Sequence, residues 1–268
     1  MNMIKKYIAA LLPFFALTSA HAANLPSDMI FEGHPIDSLC FNTENNTQTI
    51  DLRQCGAKYE KYLNKGQNTY LTNQGFIGYD WQDSSIPSAS EGYSYYQFFP
   101  AKDKQYWVYA INNGGGTGVF TTIYLAQRKD TNTFTIKNIT GSGDRCNGGI
   151  EDVAEKNHSL TFSVNLTSYD LVASADKKLP AIKAYDDLAA CAVCCVAKAF
   201  YTVNDANSGP QFTYVTLDKT TNADLPDQGK YAACFNKLLT SYIDKKQTVF
   251  NQEKINAFAD QFNRMCVH

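Results

Sequence analysis

Three of the eight cysteines stand at positions 191, 194 and 195, inside the apolar run 188–200. Thiols so closely spaced exchange disulfides, ligate zinc or brace a fold, and their surroundings decide which. A redox Cys-x-x-Cys opens a helix whose N-terminus lowers the thiol pKa. Here Cys195 follows directly, and the flanking Ala and Val residues sit among strand-like segments. With Cys146 the three also form a four-thiolate set of the kind that holds structural zinc, but in an exported chain oxidation outcompetes metal binding. Bracing by disulfides is the expectation, with no metal and no cofactor.

The second concentration of polar chemistry is the loop 141–152, Gly-Ser-Gly-Asp-Arg-Cys-Asn-Gly-Gly-Ile-Glu-Asp. Tethered at Cys146, it would be rigid, and rigid polar loops are where exported proteins place binding surfaces. Asp144, Arg145, Asn147, Glu151 and Asp152 are the candidate ligand-binding residues. The plainer alternative is an Asp144–Arg145 or Arg145–Glu151 ion pair that only orders the loop. Calcium through these oxygens would need a spacing that is not that of an EF-hand, so no metal is assigned.

Catalytic patterns are scarce. Beyond the leader the histidines are His34, His158 and His268, and neither Gly-x-Ser-x-Gly nor His-Glu-x-x-His occurs. A carboxylate pair for glycoside hydrolysis would come from Asp80, Asp83, Glu91 or Glu151, with neighbouring aromatics as a sugar platform. Spacing selects no pair among them. The glycine-rich stretch 114–118 lacks the Lys-Ser/Thr of a phosphate loop and leads into a strand pattern, which makes it a hairpin turn.

The elements that must position these groups follow from periodicity. Residues 51–54 have capping-box spacing, and Cys55, Tyr59, Tyr62 and Leu63 continue at helical intervals to Gly66, which predicts an N-terminal helix. Strands are expected over 93–99 and 106–111, the latter with Trp107, Tyr109 and Ile111 on one covered face and Tyr106, Val108 and Ala110 on the other. Further strands are expected over 119–125, 134–139 and 160–166, the last alternating strictly between apolar even and polar odd positions. A hairpin over 196–203 and 211–217 follows. From Tyr231 to Ile243, and again from Ile255 to Cys266, apolar residues recur at helical spacing, with Asn251 as the cap of the second helix.

These helices, packed antiparallel, bring Cys234 to Cys266, and Cys40 with Cys55 closes a short loop. For the remaining four, a Cys194–Cys195 bond is excluded because adjacent Cα atoms lie about 3.8 Å apart, which strains the ring. Cys146 then bonds Cys194 with Cys191 to Cys195, or bonds Cys195 with Cys191 to Cys194. The second is preferred, since Cys-x-x-Cys closes a small local ring.

Residues 1–22 carry Lys5 and Lys6, an apolar run and Ala20-His21-Ala22, the three parts of a secretory signal. No later run is long and apolar enough to span a bilayer, so no membrane insertion of the mature chain is expected. There are 24 basic against 26 acidic residues, and removing Lys5 and Lys6 makes the balance more acidic, which argues against nucleic acid.

The expectation is an α+β fold: an antiparallel β-sheet or sandwich-like core with an N-terminal helix and a C-terminal disulfide-clamped helical hairpin, as one exported domain over residues 23–268. The scarcity of catalytic motifs favours a soluble periplasmic or secreted binding or inhibitor-type protein, immunity proteins included, over an enzyme. Its partner would be an envelope protein or a cell-wall ligand. The alternative is a cell-wall or carbohydrate hydrolase using a carboxylate pair.

Overall fold

The computed structural model describes residues 25–42, 46–58, 62–83, 91–144, 146, 148–176, 182–205, 207, 209–218 and 225–267; residues 1–22, expected to be a leader, lie outside them. After a short hairpin of β1 (Ile30–Phe31) and β2 (His34–Pro35), seven strands form one sheet. They are β3 (Thr47–Asp51), β4 (Tyr62–Gly66), β5 (Ile77–Asp83), β6 (Gly92–Pro100), β7 (Tyr106–Asn113), β8 (Phe120–Arg128) and β9 (Thr133–Gly143). Their spatial order is β3-β9-β8-β7-β6-β5-β4, a meander with β3 added at one edge, and the sheet curls into a half-barrel. A second sheet runs in chain order: β10 (Ile150–Lys156), β11 (Ser159–Thr167), β12 (Cys195–Val203), β13 (Gln211–Leu217) and β14 (Val249–Phe250). Every ladder in both sheets is antiparallel.

Alternation along the strands distributes their side chains over three cores. On β7, Trp107 and Tyr109 pack with Ile123 and Leu125 of β8 toward the second sheet, where Leu160, Phe162 and Val203 meet them. The opposite side of β7 and β8, with Val108, Ala110, Tyr124 and Ala126, is closed by Met29, Ile36 and Phe41 from the N-terminal segment. Both faces of β7 are covered, as its double apolar alternation requires. Each large side chain so buried contributes roughly 1.5–3 kcal/mol.

The third core lies under the helices. Leu166, Ala197, Ala199, Val215 and Leu217 pack with Phe235, Leu238 and Leu239 of α4 (Ala232–Asp244) and Phe258 and Phe262 of α5 (Gln252–Phe262). The register pairs Phe162 with Tyr201 and Leu166 with Ala197, so one face of the second sheet serves the sheet-to-sheet core at one end and the helical core at the other. Asn251 caps α5 by accepting the Lys254 N–H at 3.0 Å. The chain then continues into a π-helical turn, Asn263–Val267, and Cys266 bonds Cys234 of α4 there.

The four disulfides are Cys40–Cys55, Cys146–Cys195, Cys191–Cys194 and Cys234–Cys266. Among the described residues no helix is long and apolar enough to cross a membrane.

The N-terminal helix needs correction. Helix α1 covers only Leu52–Lys58, and Tyr62 to Gly66, read as its continuation, are strand β4 paired antiparallel with β5. Seven residues are too few for an independent helix, and pairing with the exposed edge of β5 satisfies the backbone of 62–66 where continued helix would leave that edge open. Two short helices had no counterpart in the periodicity: α2 (Thr69–Asn73) and α3 (Ser168–Ala173), the latter closed by a capping box between Thr167 and Asp170.

Candidate functional site

Between β9 and β10 the chain reverses through several left-handed residues: Asp144, Cys146, Gly148 and Gly149 have positive φ, and so does Asp152 at the bulge within β10. At Gly149 a Cβ would fall onto the Ser142 hydroxyl, so only glycine lets the turn lie this close to β9. The turn is stapled from several sides. Thr121 Oγ1 accepts the Ile150 N–H at 3.1 Å and contacts the Gly148 carbonyl, to which it donates. Tyr109 donates its hydroxyl to the Ile150 carbonyl at 2.7 Å, and the Asn165 N–H reaches the Gly149 carbonyl at 2.9 Å. Cys146 is bonded to Cys195, its N–H donates to Ala192 O at 2.5 Å, and its sulfur accepts the Cys195 N–H at 3.1 Å.

These staples aim Glu151 and Asp152. The register sets Glu151 opposite Ser163 and Asn165 opposite Lys198, which gathers these side chains on the outer face of the second sheet. Lys198 Nζ lies 2.5 Å from Glu151 Oε2 and 3.4 Å from Asp152 Oδ2. Asn165 Nδ2 donates to Glu151 Oε1 at 2.9 Å, and Ser163 Oγ to Asp152 Oδ2 at 2.8 Å. Burial pulls the Lys198 ammonium down, but the hydrogen bonds and charges of Glu151 and Asp152 together outweigh it and hold Lys198 above the ordinary lysine value. Asp218 is raised, chiefly by burial, with Lys198 opposing and Glu151 reinforcing. Beside this network Phe200 and Tyr214 stack with centroids 4.5 Å apart.

Glu151 and Asp152 also form one lip of a cleft of about 590 Å³ lined by β10, by β6 to β8 of the first sheet and by the α2 (Thr69–Asn73) region. Tyr109, Phe76 and Ile150 line its inner part, with the rings of Phe76 and Tyr109 edge to face at 5.6 Å. Opposite the acidic lip stand Asn68, Tyr70, Gln74, Tyr93 and Gln97. Helix α2 raises Tyr70 to the rim, where it is 73% exposed. The cap of that helix is Asn68, whose Oδ1 accepts the N–H groups of Tyr70 and Leu71. The Asn68 N–H in turn donates to the Tyr95 hydroxyl at 2.7 Å, which donates to Asp80 Oδ1 at 3.0 Å. Burial, then the charge of Asp80, raises the Tyr93 phenol.

Among the described residues lining the cleft, only Glu151 and Asp152 carry charge. A second cleft of about 460 Å³, at Lys102, Lys129, Lys137 and His158, receives none of the loop residues.

Of the five candidate residues, Glu151 and Asp152 come together at Lys198 and the cleft. Asp144 is exposed, donates its N–H to the Val119 carbonyl, and does not line the cleft. Arg145 and Asn147 lie outside the described residues, as does the expected Arg145 pairing; the cation on Glu151 is Lys198.

Of the carboxylates considered for hydrolysis, Asp80 is engaged by Tyr95, the Asp83 side chain lies outside the description, and Glu91 is exposed ahead of β6. His34 is exposed on β2, and His158 is exposed in the β10–β11 turn, where its carbonyl accepts Trp107 Nε1 at 3.0 Å. His268 lies outside the description. The stretch 114–118 is a hairpin turn organised by Asn113, whose amide donates to the Gly116 and Gly118 carbonyls and accepts from the Gly115 N–H. No group of three or more metal-ligating side chains gathers among the described residues.

Sequence reasoning passed over Lys198, Tyr70, Tyr93 and Tyr109 as site residues. The one available signal was Lys198 itself, the single charge within the otherwise uncharged strand 195–203.

No protein-family model, curated protein or solved structure matches the chain.

Proposed function

We propose that this chain is an exported, disulfide-braced recognition protein, one domain over residues 23–268 after removal of the leader, that binds an envelope component through the cleft between its sheets. The observation that carries this reading is the fixing of the acidic lip. Ile150 is held by Thr121 and Tyr109, and Glu151 and Asp152 by Lys198, Asn165 and Ser163, before any ligand arrives. Preorganisation of this kind spares a binding site the ordering cost that otherwise weakens affinity. A volume near 590 Å³ is that of a small-ligand pocket. Four disulfides and the leader pattern support the periplasm or the medium as its compartment.

The mature protein, starting at Ala23, is incubated with fractionated envelope extract, and retained material is measured for wild type and for Tyr93→Ala and Glu151→Gln. Retention that falls in both variants supports the reading. Retention unaffected by either, or release of reducing ends or peptides from peptidoglycan by the wild type, overturns it in favour of another surface or of hydrolysis.

A further inference from the structure

We infer that the ligand of this cleft is a neutral oligosaccharide segment, an inference that rests on the binding reading above and narrows its chemistry. The lining supplies both things a sugar needs. Aromatic rings receive the C–H face of a pyranose, because the ring face is the negative part of its quadrupole. Tyr70 offers such a ring at the rim and Tyr93 another along the wall. Hydroxyl groups donate and accept at once, and so do the amides of Gln74 and Gln97 and the tyrosine phenols, while the Glu151 and Asp152 carboxylates accept.

Charge narrows the class. The charged side chains among the described lining residues are both acidic, so an anionic sugar or phosphate polymer meets repulsion. A cationic ligand finds its place already taken, since Lys198 bridges both carboxylates from the outer face. An extended peptide added along β10 meets a register break between Glu151 and Ala154, and an edge carrying Glu155 and Lys156, features that oppose strand addition. What remains complementary is an uncharged chain of hydroxyls and C–H faces.

The test titrates the oxidised mature protein calorimetrically with chitotetraose, cellotetraose and maltotetraose, alongside trigalacturonate and pentalysine. Saturable binding of at least one neutral tetrasaccharide is expected, weakened about tenfold or more by Tyr70→Ala, an exposed position whose change spares the fold. Lys102→Ala, in the other cleft, serves as the unaffected control. Absence of binding to all three neutral sugars, preference for trigalacturonate or pentalysine, or indifference to Tyr70→Ala overturns the inference. Envelope material retained by the protein is also treated with periodate or protease. Loss with periodate alone supports a glycan; loss with protease alone overturns the glycan while the binding reading stands.

Discussion

The hydroxyl of Tyr109 donates to the carbonyl of Ile150 across 2.7 Å, linking the middle strand of the first sheet to the residue that precedes the acidic lip. Tyr109 is buried. Burial, then the charges of Glu151 and Asp152, raises its pKa. The bond thus couples the sheet-to-sheet core to the position of Glu151.

Tyr109→Phe keeps the ring and removes the donor. It should destabilise the protein by about 0.5–1.5 kcal/mol, the usual net worth of one such bond, with the stranded Ile150 carbonyl pushing toward the upper end. Chemical denaturation measures the loss, and hydrogen exchange should quicken at residues 148–152. Unchanged exchange there would show that the lip is positioned without this bond, by Thr121 and the other staples.

Cys146→Ser combined with Cys195→Ser opens a bridge spanning 49 residues without leaving a lone thiol. The expected cost is roughly 2–5 kcal/mol, largely through the freer unfolded chain. Amides from Gly148 to Asp152 should exchange faster before global unfolding is reached. If stability falls while these amides keep their protection, the remaining hydrogen bonds fix the turn by themselves.

A non-reducing peptide map should return Cys40 with Cys55, Cys146 with Cys195, Cys191 with Cys194, and Cys234 with Cys266. A peptide joining Cys146 to Cys194 would overturn the tether of the 144–152 turn to the first residue of β12.

Alkali should unfold the protein through its tyrosines. Burial, partly offset by the Asn68 N–H and reinforced by Asp80, pushes Tyr95 up to about 12, and burial first, then Asp37, raises Tyr96 as well. A group raised in the folded state contributes stability that is present below its unfolded value and lost as pH rises through its folded value. Lys198 acts in the same direction. The contribution of these groups should therefore be level below about pH 10 and decline above it, so that stability falls in alkali, with a shallower decline in Tyr95→Phe. An identical decline in that variant would assign the alkaline loss to other groups.

The strand β7 was legible because both of its faces are apolar and each residue type announces its side. The helices α4 and α5 were legible for the same reason, their buried residues recurring at helical spacing. Proximity settled the local bridges. The site was only half legible. Glu151 and Asp152 stand out in the sequence, but their cation lies 47 residues from Glu151, on a strand whose register depends on β11. Tyr70 and Tyr93 read as ordinary core aromatics until β10 is laid beside them, and no local pattern encodes that approach. Tyr62 to Gly66 failed for a related reason: the spacing suited a helix, and only the open edge of β5 makes it a strand.

The bond between Cys146 and Cys195 closes the backbone into a covalent ring that carries β10, β11 and α3. Outside the cell a protein meets proteases, and a single cut anywhere within that ring separates no fragment. The two new ends stay joined through sulfur, while the sheet ladders and the core hold them in register. A nicked molecule would therefore migrate as intact chain until reduced, and its lip of Glu151 and Asp152 would still be anchored at both margins.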